Sequence, residues 1–183
     1  FFQDKIFSKK VFKFWFIIIF IVSIDVFIES FIGKNILGFG DDGLKNRIVS
    51  FFKNEPIVGG YLNGFFLIII GFLSNELKDD RKYLIILLAI IFVISILLTG
   101  ERSNFIRAIS GIGIFFLLYK NLDIKKKIII FLTIIPLSIA FILNSPFLKV
   151  RFGSQISYLL TKQHNIYFHV YESGFEVFKN YKL

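Results

Sequence analysis

Cysteine is absent from all 183 residues, which excludes disulfides, thiolate metal sites and cysteine nucleophiles. Histidine occurs only as His164 and His169, five residues apart, a spacing that suits neither a helical metal pair nor a strand pair. No HExxH accompanies them. Both therefore read as surface histidines of an amphipathic helix, and neither a metal nor any other cofactor is expected. Methionine is missing as well, and the chain begins at Phe1. Because translation starts with Met, the sequence predicts a piece of a longer protein. Its last residues, Phe178 to Leu183, stop inside an amphipathic pattern, so sequence is expected beyond both ends. Acidic residues are scarce: 13 against 22 Lys and Arg leave a net charge of +9. In a soluble protein that excess would suggest nucleic acid, but here the basic residues cluster beside apolar runs, where they face lipid headgroups and set orientation. The basic stripe with interleaved aromatics of a nucleic-acid binder is lacking. No nucleic-acid partner is expected.

What the chain has in abundance is apolar mass. Hydrophobic residues make up 55% of it, more than a soluble domain carries once its core is covered with polar surface. A helix needs about 20 apolar residues to cross the hydrocarbon of a bilayer. Candidate spans are 14–32, 57–74, 83–99, 105–119 and 128–143, the fourth being the weakest because it is short and carries Arg107 near its start. The fold class expected is an all-α polytopic membrane protein of about five transmembrane helices. Its organisation reads as a bundle over 1–143 and an outer segment over 144–183. Lysine-rich segments place the ends: Lys5, Lys9, Lys10 and Lys13 before the first span, Lys78, Arg81 and Lys82 between the second and third, Lys120, Lys125, Lys126 and Lys127 between the fourth and fifth. These fall on one side, as the positive-inside rule asks of the cytoplasm. The opposite side receives 33–56, the turn 100–104, and everything after Asn144. Pro136 is expected to kink the fifth span, and Gly60 with Gly64 to permit close helix contact.

The outer segments carry the chemistry. The 33–56 stretch mixes glycines with charges, as a folded re-entrant or surface loop does. After Pro146, Tyr167, Tyr171, Phe175 and Phe178 recur at helical spacing with Glu172, Glu176 and Lys179 between them. That pattern suits a helix lying along an interface or one facing a partner in a larger outer domain. Asp25 and Glu29 are four residues apart in the outer half of the first span, hence on one helical face. Intramembrane carboxylates are costly and commonly functional; the structural alternative is that Glu29 reaches the interface and Asp25 pairs with an Arg from a neighbouring helix. Arg47 in the outer loop and Arg102 in the turn Thr99-Gly100-Glu101-Arg102-Ser103-Asn104 share that membrane side. A guanidinium fork binds two phosphate oxygens at once and keeps its charge. Headgroup or glutamate pairing is the alternative use.

In this order the pieces resemble the bacterial O-antigen ligase and polymerase family of polytopic membrane glycosyltransferases, over nearly the whole chain. Asp25-Val-Phe-Ile-Glu29-Ser-Phe-Ile-Gly33-Lys-Asn-Ile-Leu-Gly38 is similar to the family's Asp, Gln, Gly and Gly run, with Glu29 in place of Gln. Arg47-Ile-Val-Ser-Phe-Phe52, followed by Gly60-Tyr61-Leu62, resembles its arginine loop, with Ser50 where a glycine is common. Thr99-Gly100-Glu101-Arg102-Ser103 resembles its Gly-Glu-Arg turn and is the most specific piece. Arg151-Phe152 and the helix over 167–179 resemble the start of the large periplasmic loop.

The resemblance implies a multi-pass protein of the bacterial inner membrane with the N-terminal end of this chain in the cytoplasm. Its substrate would be a glycan carried on undecaprenyl pyrophosphate, and its acceptor lipid A-core or a growing glycan. Arg47 and Arg102 would hold the pyrophosphate, with Asp25, Glu29, Glu101 and Arg151 in support. Transfer would be metal-independent, direct and inverting, with an acceptor hydroxyl activated by a base. In the family that base is generally a histidine later in the loop, here expected beyond Leu183, so the role does not pass to His164 or His169 and this piece alone would be inactive. A transporter or flippase of lipid-linked saccharide, or a non-catalytic membrane subunit, would also place cations in a helical bundle.

Overall fold

The computed structural model describes residues 5–40, 47–53, 55–77, 81, 83–120, 124–160 and 166–180. Among them the fold is entirely helical: α1 (Lys5–Ile32), α2 (Val58–Glu76), α3 (Tyr83–Leu98), α4 (Arg102–Leu118), α5 (Ile124–Asn144), α6 (Pro146–Leu160) and α7 (Ile166–Asn180), with a 3-10 turn at Ser50–Phe52. Each apolar run of the sequence is a helix. Three helices, over Phe7–Ile32, Val58–Glu76 and Lys127–Asn144, are long and apolar enough to cross a membrane. The expected third and fourth spans are shorter, α3 having 16 residues and α4 17. At 1.5 Å per residue, each is roughly 25 Å long against a hydrocarbon core of about 30 Å.

α3 lies at the centre. Residues 92–100 are all buried, and α1, α2, α4 and α5 pack around the helix. Its C-terminal half is surrounded by these helices, whereas Tyr83 and Leu87 of its first turns are exposed, and its Ile- and Leu-rich sequence has no polar face in either half. α1 and α5 are the reverse case. Ile17, Ile21, Ile24 and Phe31 of α1, and Ile128, Leu132, Ile135, Ile139 and Leu143 of α5, are exposed. Only 28% and 17% of these two spans are buried within the protein, an apolar exposure that suits a lipid bilayer rather than water.

Cross-helix contacts fix direction. Lys9 pairs with Glu76 at 3.0 Å, Phe12 stacks on Phe72 at 4.9 Å, and Trp15 meets Phe65 edge-on at 4.6 Å, so α1 and α2 are antiparallel. α2 and α4 run parallel: Gly59 meets Glu101 at one end, and the Tyr119 hydroxyl donates to the Ser74 carbonyl at the other. The bundle thus has a lysine end, with Lys9, Glu76 and Tyr119, and an arginine end, with Glu29, Gly59, Glu101 and Arg102.

Pro136 lies inside α5, which continues through it to Asn144, and the helix ends at Ser145. There the residue before Pro146 leaves the helical region, and Ser145 Oγ accepts the Leu148 N–H at 3.3 Å as the cap of α6. A Cβ on Gly64 would meet nothing, so Gly64 is not a contact glycine; Gly59 and Gly111 are, a Cβ there falling 2.6 Å from Thr99 Oγ1 and 2.6 Å from Leu67 Cδ1. α7 keeps the expected amphipathic pattern, and His169 to Asn180 are all exposed. Lys179 sits 5.5 Å from the Phe175 ring centre, and His169 Nδ1 lies 3.7 Å from Glu172. His164 lies outside the described residues, as does the Tyr167 side chain.

Candidate arginine site at one end of the bundle

Glu101 organises this end. It precedes the first residue of α4, and its backbone carbonyl accepts the Phe105 N–H at 3.0 Å. Its side chain reaches across to α2, where Oε1 accepts the Gly59 N–H at 2.8 Å and Oε2 accepts from the Asn104 amide. A carboxylate at a helix N-terminus satisfies an unpaired N–H and opposes the positive end of the dipole. Gly59 is required for this approach, since a Cβ would lie 2.8 Å from Glu101 Cδ. The turn itself needs Gly100, whose φ is +72°.

Arg102 follows, and its guanidinium donates to the Arg151 carbonyl at 2.8 Å. That bond ties α4 to α6. Phe152 packs edge-on against Phe105 at 5.7 Å, and Leu148 is buried, so Arg151 is held over the end of the bundle. Burial, then the nearby charges of Arg47 and Arg102, lower the Arg151 pKa from its ordinary value, and Glu101 offsets them in part. Arg151 Nε is buried with no hydrogen-bond partner. Among the described residues none of these three arginines is in an ion pair with a carboxylate.

Arg47 is exposed and reaches the cluster from a loop that is anything but free. Glu29 accepts two consecutive backbone N–H groups, Val49 at 2.9 Å and Ser50 at 2.6 Å. Asp25 accepts the Ser50 hydroxyl and, at 2.9 Å, the Ile36 N–H. Asn35 donates to the Ser50 carbonyl and accepts the N–H groups of Leu37 and Phe39. Ser50 has φ +47°, in the left-handed region that favours glycine, the residue the sequence resemblance places here. The serine adopts it with its N–H, its carbonyl and its hydroxyl all bonded.

Of the residues singled out in the sequence, Arg47, Arg102, Arg151 and Glu101 therefore come together. Asp25 and Glu29 do not join them as free acids: both are buried, with their oxygens committed to the loop. Sequence reasoning named Ser50 only as standing where a glycine is common, without its bonding role, and missed Asn35. Gly59 and Phe147 were also missed; the latter carried no signal among 26 phenylalanines. No group of three His, Asp or Glu side chains that could hold a metal occurs among the described residues. No family model, no curated protein and no solved structure matches the chain.

Proposed function

We infer that this protein is a membrane glycosyltransferase of O-antigen ligase or polymerase type, acting on a glycan linked to undecaprenyl pyrophosphate at the outer face of the bacterial inner membrane. The observation that carries this reading is the convergence of Arg47, Arg102 and Arg151 on one end of a bilayer-embedded bundle. Like charges gathered without an ion pair to a carboxylate among the described residues are unfavourable alone and become favourable around a multivalent anion. The N-terminus of α4 adds its dipole with the same sign. A pyrophosphate held there keeps its charge neutralised as the glycosidic bond to it breaks, the stabilisation that a phosphate leaving group requires.

Five crossings complete this reading, with α3 and α4 as short spans buried by or against their neighbours. The lysine end is then cytoplasmic and the arginine end periplasmic. A reporter fused after Asp123 is expected to read cytoplasmic and one after Asn144 periplasmic; a periplasmic Asp123 reporter refutes the arrangement. A transporter of lipid-linked saccharide places its charges near the midplane, between broken helices, whereas Arg102 is the first residue of α4, Arg47 lies in a loop and Arg151 lies within α6, after the fifth apolar run.

The ligand is tested with the purified chain in phosphatidylcholine nanodiscs, titrated with inorganic pyrophosphate. Binding is expected, and it should weaken several-fold between low and physiological salt because the Debye length contracts from about 30 Å at 0.01 M to about 8 Å at 0.15 M. Arg151→Ala should weaken it about tenfold or more, the scale of one charge-assisted hydrogen-bonding partner of roughly 1.5–3 kcal/mol. Unchanged binding by Arg102→Ala and Arg151→Ala together overturns the reading.

A further inference from the structure

We propose that Glu29 and Asp25 are positioning residues, whose carboxylates clamp the 47–50 segment and thereby hold Arg47 in the arginine cluster against the repulsion of Arg102 and Arg151. The proposal rests on the pyrophosphate reading of that cluster and adds how its most exposed member is kept in place.

Two carboxylates near the C-terminus of α1 are in an unfavourable position for the helix itself, because that end of the dipole is negative. They are also buried in an apolar bundle, where an unpartnered carboxylate is costly. Neither lies in a salt bridge among the described residues. Their bonds go instead to one short segment of chain: Glu29 to the backbone N–H groups of Val49 and Ser50, Asp25 to the Ser50 hydroxyl. The second Asp25 oxygen accepts the Ile36 N–H, so the same helical face also pins the start of the loop. One residue, Ile48, separates Arg47 from the first clamped N–H, that of Val49, a lever too short for the segment to swing while the clamp is closed. Ser50 is held at φ +47°, a conformation of the kind that persists only where the surroundings over-determine it.

The force opposed is also identifiable. Arg47 acts on Arg151 as the larger of two like-charge influences, ahead of Arg102. Without an anion, a loop carrying Arg47 would relax outward; with the clamp closed, the cations are assembled before the anion arrives. Preorganisation of this kind removes a conformational cost from binding. Glu29→Gln keeps the shape but places an amide N–H against one of two backbone N–H groups, so the clamp loses an acceptor and gains a clash of donors.

The test is a double-mutant cycle read by inorganic pyrophosphate titration of the full chain in phosphatidylcholine nanodiscs. Glu29→Gln is expected to weaken binding about tenfold, and Arg47→Ala by at least as much. In the Arg47→Ala background Glu29→Gln should add less than about twofold, because its effect passes through Arg47. An equal loss in both backgrounds identifies a general structural role and overturns the proposal, as does unchanged binding by Glu29→Gln alone. Unchanged binding by Arg47→Ala and Arg102→Ala would instead sink the pyrophosphate reading. The clamp is then read without ligand. The absence of cysteine allows spin labels at Arg47→Cys and Lys149→Cys, and their distance distribution should broaden with Glu29→Gln. A distribution as narrow as that with Glu29 intact refutes the clamp whether or not pyrophosphate binds. Asp25→Asn, whose oxygen still accepts the Ile36 N–H while its amide donates to the Ser50 hydroxyl, should give a smaller effect of the same kind.

Discussion

Arg102→Ala is expected to abolish glycan transfer by the full-length protein while leaving it inserted in the membrane, the largest functional loss of any single substitution at this end of the bundle. Arg102 has two consequences that one side chain rarely combines. It contributes a fixed positive charge at the start of α4, where the helix dipole already favours an anion. It also donates to the Arg151 carbonyl at 2.8 Å, so its removal loosens the helix that carries the third arginine. Truncating one partner of a desolvated charge pair costs about 2–5 kcal/mol, or roughly 30-fold to several thousand-fold at 1.4 kcal/mol per decade. Transfer is followed as glycan-modified acceptor on gels, and insertion by membrane fractionation. Arg107→Ala supplies the comparison: it lies on the same helix, is exposed, and should leave transfer unchanged. Normal transfer by Arg102→Ala refutes the pyrophosphate role. Arg102→Lys should recover only part of the activity, since an ammonium keeps the charge and lacks the planar fork that engages a carbonyl and a phosphate together.

The sequence made the helices legible because the bilayer imposes a coarse rule: long apolar runs must be helical, since no water satisfies their backbone. That rule separates α1, α2 and α5 cleanly. It is less decisive for α3, which is short and largely buried in its second half, and for α4, which is short and carries Arg102 and Arg107. The arginine site was half legible. Arg47 and Arg102 stand out as guanidinium groups beside glycines, and their membrane side follows from the lysine-rich turns. The meaning of Asp25 and Glu29 was not readable, because a spacing of four places two carboxylates on one face without saying what faces them. What faces them is backbone 11 to 21 residues away in sequence and the Ser50 hydroxyl. Backbone N–H groups carry no residue signature, so a side chain that bonds to them leaves no pattern. The same holds for Gly59: its neighbours Gly60 and Gly64 look equivalent in sequence, and only packing against Thr99 and Glu101 tells them apart.

Gly100→Ala should reduce pyrophosphate affinity by about tenfold or more without removing any charge, and lower the unfolding temperature in the same preparation. Two costs add. Gly100 has φ +72°, where a side chain carries a penalty of roughly 1–2 kcal/mol. Its Cβ would also be driven into the Phe147 ring, with Cε1 at 3.1 Å and Cε2 at 3.4 Å behind the ring tip. Phe147 cannot yield alone. It is four residues before Arg151 and so shares its helical face, while Leu148 is buried and Phe152 packs on Phe105. The first turn of α6 must therefore move as a unit, carrying Arg151 away from Arg102. Phe147→Leu, which shortens the obstacle, should restore part of the affinity in the Gly100→Ala background, leaving the backbone penalty as a loss of stability. Gly153→Ala on the same helix meets nothing within 4 Å and should be neutral or slightly stabilising by up to about 1 kcal/mol. If Gly100→Ala binds pyrophosphate as tightly as the unsubstituted chain, α6 is not seated on the Gly-Glu-Arg turn. The joint placement of Arg102 and Arg151 would then need another cause. If affinity falls and Phe147→Leu recovers it, a turn of three residues is what sets the spacing of the arginines, and charge alone is insufficient for the site.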